Sequence, residues 1–169
     1  MRLHFIILLL LPVLCKCQVA DQAASAYPKI VGDIIFDPVT DKPGFEICNE
    51  KNIFQYFNTG GGLQYEGEKI AIEKVFKEKY KSQHVKKESG MIRIRFIVNC
   101  KGETDRFRII ASDDNYNEKI FDPSITNQLL AITKMLNGWK TKTYNGNKID
   151  YYQYLIFKIS NGQLKEILP

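Results

Sequence analysis

One run of the chain alternates between apolar and polar side chains in the pattern of a β-strand. From Met91 to Cys100 the sequence reads MIRIRFIVNC. Successive side chains of a strand point to opposite faces, so this run predicts a half-buried antiparallel strand. A turn at Lys101 to Glu103 and a second strand at Arg106 to Ala111 complete a predicted β-hairpin. The two alternating sets are Ile92, Ile94, Phe96 and Val98 on the buried face and Arg93, Arg95 and Asn99 on the other.

Two segments with helical spacing lie on either side of this hairpin. Residues 66–81 place one apolar stripe among charges of both signs, which predicts an amphipathic helix. A second helix is predicted to begin at Asp122 and Pro123, which suit the N-cap and the first turn, and to end at Gly138. Trp139 follows directly, is the only tryptophan, and is predicted to anchor the core. The stripe of the first helix consists of Ile72, Val75, Phe76 and Tyr80.

A third strand is predicted at residues 149–159, and both of its faces carry aromatic side chains. Such a strand is either covered on both faces or covered on one face and in contact with a partner on the other. A last short strand is expected near Leu164 to Leu168. Together these elements predict an α+β fold in two layers, with an antiparallel sheet of about three strands packed against two helices. We place this domain at residues 65–169, after an irregular N-terminal segment or linker at residues 18–64.

The start of the chain reads as a secretory signal peptide at residues 1–17. Arg2 supplies a positive charge, and Phe5 to Leu14 are apolar but too few for a membrane span. Two other readings stay open, namely a hydrophobic helix packed in the fold and lipidation at Cys15 or Cys17. An exported chain would keep two cysteines in an oxidising compartment. Cys48 and Cys100 then form one disulfide or remain two buried or free thiols, and their spacing does not indicate a zinc site.

Charge and composition exclude several classes of protein. The apolar fraction of 44% and the charged fraction of 25% are those of an ordinary globular chain. The net charge is +5 and falls to +3 once Arg2 and Lys16 leave with the signal. Nucleic-acid binders usually carry a concentrated basic face, so we expect no nucleic-acid partner.

The sequence offers no set of residues that suggests catalysis. His84 is expected to be a solvated surface histidine, and no Ser-His-Asp or Cys-His set can be assembled around it. Asp113, Asp114 and Glu118 cluster in one loop, but their spacing fits no calcium loop and an acidic turn is the ordinary reading. We therefore predict no enzyme activity, no catalytic residue, no metal and no cofactor.

The region from Tyr65 to Ile159 resembles the C-terminal domain of the TonB-type energy transducers of Gram-negative bacteria. The resemblance rests on the order and spacing of several short motifs, and it covers somewhat over half of the exported chain. Compared with that family, the sequence lacks a Pro-Gly pair after Trp139, and a short signal stands where transducers have a membrane anchor and a Pro-rich arm. The motifs are Tyr65-Glu66-Gly67-Glu68, Lys79-Tyr80, Gly90 to Val98, Lys101-Gly102, Trp139, Asn145 to Ile149 and Tyr154 to Phe157.

The resemblance implies a periplasmic protein-interaction module associated with TonB-dependent transport. Domains of this family add an extended peptide of an outer-membrane receptor to a sheet edge, and here the partner would be such a receptor or another envelope protein. Trp139 and Gly102 would be structural. Alternatively, the chain is a structural envelope protein, lipid-anchored or not, that uses the fold to form homodimers or larger complexes. The predicted peptide-binding residues are Ile149, Tyr151, Tyr152, Tyr154, Ile156 and Lys158.

Overall fold

A computed structural model describes residues 33–82 and 88–169 of the chain. The predicted signal peptide, the two cysteines considered for lipidation and His84 lie outside these residues. In the part of the chain that is described, no helix combines the length and the apolar character needed to cross a membrane. The elements are β1 (Phe54–Gln55), α1 (Glu68–Lys79), β2 (Gly90–Val98), β3 (Thr104–Ser112), α2 (Pro123–Met135), β4 (Lys142–Tyr144), β5 (Asn147–Ile149), β6 (Tyr151–Ser160) and β7 (Gln163–Leu168).

The main sheet is built around the predicted hairpin and the predicted third strand. β2 pairs antiparallel with β3 on one side and with β6 on the other. Two further strands join the far side of β6, namely β1 in parallel and β7 antiparallel. The main sheet therefore has five strands rather than about three, and β4 and β5 form a separate small hairpin. The α+β class and the order helix, strand, strand, helix, strand are confirmed.

One face of the sheet packs against the two helices and encloses the larger core. It contains the predicted buried set of β2, from Ile92 to Val98 at alternate positions, and the predicted stripe residues Ile72 and Phe76 of α1. Trp139 is buried in this core, with its ring 4.9 Å from Tyr65 and 5.1 Å from Phe96. The prediction that Trp139 anchors the core is confirmed.

Gly102 sits in the turn between β2 and β3, close to the backbone that follows α2. Its φ is +83°, a conformation that L side chains rarely adopt. A Cβ at this position would lie 2.9 Å from the carbonyl oxygen of Trp139. Both conditions favour glycine, so its predicted structural role follows from the shape of the hairpin turn.

Part of the segment at residues 33–64 packs against the opposite face of the sheet, and its last part also contacts the larger core. Ile34 forms a second small core with Ile97 of β2 and Tyr152 of β6. The hydroxyl of Tyr152 donates to the Asp33 carboxylate at 3.0 Å and accepts the N–H of Ile34 at 3.3 Å. The described part of the predicted linker is mostly irregular, as expected, but it supplies β1 and covers part of the sheet. It therefore belongs to the same packed unit as residues 65–169.

Ion pairs attach this segment to β3 as well. Arg108 donates to both carboxylate oxygens of Asp41 at 2.7 Å, and the Asp41 side chain is only 1% exposed. Arg108 also donates to the carbonyl of Ile35 at 2.7 Å. Arg106 reaches the carboxylate of Glu50 at 2.8 Å. These contacts neutralise two arginines of β3 with acidic groups of the N-terminal segment.

A disulfide fixes the segment at a second point. Cys48 and Cys100 are joined by a disulfide, with their Cα atoms 6.2 Å apart and a sequence separation of 52. This is the pairing that the sequence analysis weighed against free thiols. The bond connects the N-terminal segment to the turn between β2 and β3.

We expect the double substitution Cys48→Ser and Cys100→Ser to lower the free energy of unfolding by about 4 kcal/mol, since the bond closes a long loop. Urea denaturation without reductant and with a chelator present measures the difference. The control is the wild-type protein denatured in the same buffer with a reductant added. Its free energy of unfolding should fall by a similar amount. An unchanged denaturation midpoint in both would contradict the structural role of the bond.

The Asp41–Arg108 pair predicts a specific pH dependence of stability. The hydrogen bond from Arg108 lowers the pKa of Asp41 below its ordinary value. A carboxylate with a lowered pKa in the folded state contributes stability above its unfolded pKa of about 4 and loses it as pH falls through the folded value. Asp41→Asn should therefore cost about 1–3 kcal/mol at pH 7.

Below about pH 4 the difference between Asp41→Asn and wild type should shrink, because the Asp41 carboxyl of the unfolded wild type is protonated first and that of the folded protein, with its lowered pKa, follows at lower pH. Chemical denaturation across this pH range tests the prediction. Asp114→Asn, at an exposed aspartate, is the control and should follow wild type throughout. A destabilisation by Asp41→Asn that stayed constant down to pH 2 would rule out titration of this carboxylate as its cause.

Candidate strand-addition edge

The strand that the sequence analysis selected for peptide binding lies inside the sheet. On one side β6 pairs with β2 from Tyr151 to Ile159. On the other side β1 pairs with Tyr151 and Tyr152, and β7 pairs with the stretch from Ile156 to Ser160. Only Gln153 to Leu155 have no strand partner on that side among the described residues. This pairing contradicts the predicted open edge at β6.

The predicted anchor side chains are also largely engaged within the fold. Tyr151 is fully buried, and its hydroxyl donates to the carbonyl of Lys140 at 2.8 Å. Burial raises the pKa of Tyr152 to about 12. Ile149 lies at the end of β5 rather than in β6. The tyrosines at 151 and 152 are therefore packing residues.

The other three predicted positions are more accessible but are not brought together at an edge. Tyr154 is half-buried and packs edge-on against Tyr56, with 5.2 Å between the ring centres. Lys158 is exposed and pairs with Glu166 of β7 at 2.7 Å. Ile156 is half-buried on the same face of the sheet. A peptide cannot reach all three by pairing with β6, because β7 already occupies that side of the strand.

The open edge of the main sheet lies at β3. In the described residues β3 pairs with β2 alone from Thr104 to Ile110. Its last residues are partly covered, since the N–H of Lys119 donates to the carbonyl of Ala111 at 3.0 Å on the outer side. Alternate residues of a strand direct their backbone groups to the same side. Ile109 therefore directs its N–H and C=O outwards, with no backbone partner on that side among the described residues.

A β-bulge lies near the start of β3, just before this open stretch. The register shifts between Arg95 and Ile97, and Arg106 adopts a φ of 56°. Arg106 is thereby directed at Glu50 and at the carbonyl of Ile34, 3.2 Å away. Such bulges commonly occur at sheet edges. This one redirects the Arg106 side chain, and regular pairing with β2 resumes at Arg108.

An apolar cavity of about 430 Å³ borders the open part of β3. It lies between the strand, the chain that returns from the acidic loop, and the first turn of α2. Ile109 is 38% exposed beside it, and Ile120 is 93% exposed. Main-chain groups at an edge together with a neighbouring pocket are the two components of strand-addition sites. The apolar lining residues are Ile109, Ile110, Ala111, Ile120, Phe121 and Pro123, and the polar side chains of Glu118, Lys119, Thr126 and Asn127 complete the lining.

β7 offers a second unpaired edge within the described residues, but its surroundings differ. The depression between β7 and α1 is lined partly by charged side chains, namely Glu73, Lys77, Lys165 and Glu166. Charged side chains prefer contact with water. Although Phe76 and Ile167 also line this depression, its lining is more polar than that of the cavity beside β3. The edge of β3 is therefore the better candidate for receiving an extended segment.

The acidic loop that precedes α2 has a structural role. One carboxylate oxygen of Asp113 accepts the N–H groups of Asn115 and Asn117, each at 2.8 Å. The side chain of Asn117 donates to the other oxygen and is the main cause of a lowered pKa at Asp113. These bonds close the turn that brings Lys119 against β3. The ordinary reading of this loop as an acidic turn accounts for Asp113.

Ile109 and Ile120, the exposed apolar residues that line this cavity, were not among the predicted site residues. Ile120 could have been noticed as an apolar residue within a polar loop, whereas the openness of β3 follows only from the order of strands in the sheet. No protein family, curated protein or solved structure matches the chain. The geometry of the described residues therefore carries the functional argument.

Proposed function

We propose that this chain is a protein-interaction module that binds an extended segment of another protein by strand addition at the outer edge of β3. The observation that carries the proposal is the combination of an unpaired strand edge at Phe107 to Ile110 with an apolar cavity beside it. Main-chain hydrogen bonds would supply affinity, and the cavity would select an apolar side chain of the partner. An exposed edge without a partner also favours aggregation, which supports a partner at this position.

The TonB-like fold is part of this proposal. Its support is the order of elements from α1 to β6, in which two helices and the three strands β3, β2 and β6 follow one another as the resemblance implies. The sheet differs by the addition of β1 and β7 to the far side of β6. Because this side of β6 is occupied, we place the receiving edge at the opposite end of the sheet.

We further propose that the module works in the periplasm of a Gram-negative bacterium. The predicted signal peptide supports export, and the Cys48–Cys100 disulfide fits an oxidising compartment. The partner would then be the extended N-terminal segment of an outer-membrane receptor or a segment of another envelope protein.

A second candidate is assembly with another copy of this chain. Apolar side chains are exposed on both sides of the β3 edge, and a partner strand with its own flanking residues would cover them. Val39 and Ile35 lie on the side of the N-terminal segment, 89% and 77% exposed, while Ile120 lies on the helix side. Two β3 edges could pair antiparallel about a two-fold axis, as in the structural role that we gave as the alternative.

Titration of the ¹⁵N-labelled full chain with N-terminal peptides of outer-membrane receptors tests the proposal. We expect saturable changes in the amide signals of Phe107 to Ile110 and of Ile120. Changes confined to β6 would contradict the assignment of the edge. A folded protein with no changes for any peptide, and with no self-association in sedimentation, would contradict strand addition as the function.

Substitution of Ile109 by proline tests the hydrogen bond that the outward N–H of residue 109 would donate to a bound peptide. Proline removes the outward N–H of residue 109 and leaves the bonds of β3 to β2 in place, as edge strands tolerate. We expect Ile109→Pro to weaken peptide binding about tenfold, which is the loss of one well-made hydrogen bond of about 1.4 kcal/mol. Isothermal titration calorimetry measures the affinity.

Ile109→Val is the matched control, since it keeps the N–H and an apolar side chain at the same position. It should bind within about twofold of wild type, because such a swap costs little at an exposed site. Equal affinities for the proline and valine variants would show that the outward N–H takes no part in binding.

A charge at Ile120 tests the contribution of the cavity. Ile120→Glu should leave stability within about 0.5 kcal/mol of wild type, because the side chain is exposed. It should weaken peptide binding, since an apolar contact would be replaced by a charge that must lose water. Ile70→Glu, on α1 and 77% exposed, is the matched control and should bind normally. Equal losses for both variants would place the effect outside the cavity.

A further inference from the structure

A second candidate site lies at the turn between β2 and β3, away from the open part of β3. It is independent of the proposed function. Three chemically distinctive groups meet there, the sulfurs of Cys48 and Cys100 and the carboxylate of Asp150. One ligand atom from each lies within 4.8 Å of the others. The three residues come from the N-terminal segment, the turn after β2 and the residue between β5 and β6. Distant parts of the sequence therefore converge on this point.

Asp150 is unusual because it is a fully buried acid without a basic partner. It has no exposed surface, and none of the ion pairs formed among the described residues includes it. Its two oxygens accept the N–H of Cys100 at 2.9 Å and the N–H of Asn49 at 2.7 Å. Buried carboxylates are normally paired with a cation or bound to a metal. A carboxylate has about four acceptor positions, so these two bonds leave capacity for a further ligand.

We infer that, when the disulfide is reduced, this site binds a thiophilic divalent cation of the zinc type through Cys48, Cys100 and Asp150. Two thiolates and a carboxylate are ordinary zinc ligands, and three protein ligands leave one position for water. Cys48 is exposed and Cys100 half-buried, so solvent can reach the fourth position. In the oxidised form neither sulfur is a thiolate, and the site does not bind the cation.

The change between the two forms is chemically balanced. An external dithiol gives two electrons and two protons to the Cys48–Cys100 bond, and it becomes a disulfide while the protein gains two thiols. The cation then displaces the two thiol protons and forms two metal–sulfur bonds. Both forms hold the N-terminal segment against the turn after β2, by a covalent bond in one and by coordination in the other. The cation would therefore preserve this attachment under reducing conditions.

Cobalt binding by the full chain tests this site. The protein carries Cys15→Ser and Cys17→Ser, so that Cys48 and Cys100 are its only cysteines. After reduction with a phosphine and removal of the excess, Co²⁺ should bind one per chain with a thiolate-to-cobalt charge-transfer absorption. Zn²⁺ should abolish this absorption, and the oxidised protein should not show it. Circular dichroism confirms that the reduced protein remains folded.

Three variants define the ligands. Cys48→Ser should abolish the charge-transfer absorption characteristic of the pair, and Asp150→Asn should weaken Co²⁺ binding by about tenfold or more. Asp114→Asn, at an exposed aspartate, is the control and should bind like the parent protein. If Asp150→Asn fails to fold, a second measurement takes the place of this variant. In the folded, reduced parent protein, bound Zn²⁺ should protect Cys48 and Cys100 from an alkylating reagent.

Two results would overturn the inference. The first is a reduced, folded protein that shows no charge-transfer absorption with Co²⁺ and no protection by Zn²⁺. The second is an unchanged affinity in Cys48→Ser or Asp150→Asn, which would place the cation elsewhere.

Discussion

The antiparallel pairing of β2 with β6 is the interaction on which the rest of the structure depends. It runs from Gly90 opposite Ile159 to Val98 opposite Tyr151 without interruption. One face of this ladder carries the apolar side chains that both helices cover, and the other face receives Ile34 and its neighbours. Since each of the two strands gains a further partner on its outer side, the pairing also determines which strands end at the edges of the sheet. The open edge at β3 is a direct consequence.

The N-terminal segment covers part of the sheet face that the two helices leave open. It is held by a buried ion pair, a disulfide and a short parallel strand, each of a different physical kind. These contacts cover part of the second face, and β1 pairs with the first two residues of β6. Together with β7, which pairs with Ile156 to Ser160, β1 protects most of this side of β6, as natural sheets commonly protect their edges. The same segment brings Cys48 to Asp150, so the proposed cation site exists only because the segment is packed on the sheet.

Local sequence patterns predicted the helices and strands well. They predicted less well which segments pair or pack with one another. The alternation around Phe96 and the stripe through Phe76 are properties of consecutive residues, and the strand and helix they predict are present. The attachment of Asp41 to Arg108 spans 67 positions and has no local signal. The aromatic side chains on both faces of β6 left open whether both faces are covered or one contacts a partner, and they could not show that β1 and β7 pair with the side of this strand. Which strand lies at an edge depends on the order of strands in the sheet. The structure therefore places the candidate site at β3 rather than at the predicted β6, although the predicted fold class is confirmed.

Amide hydrogen exchange at β3 tests most directly whether this edge is open to a partner. In the dilute free protein we expect the N–H of Ile109 to exchange rapidly and those of Arg108 and Ile110, which face β2, to be protected. Addition of a binding peptide should slow exchange at Ile109. Strong protection of Ile109 in the free monomer would show that the edge is already covered and would contradict strand addition at β3.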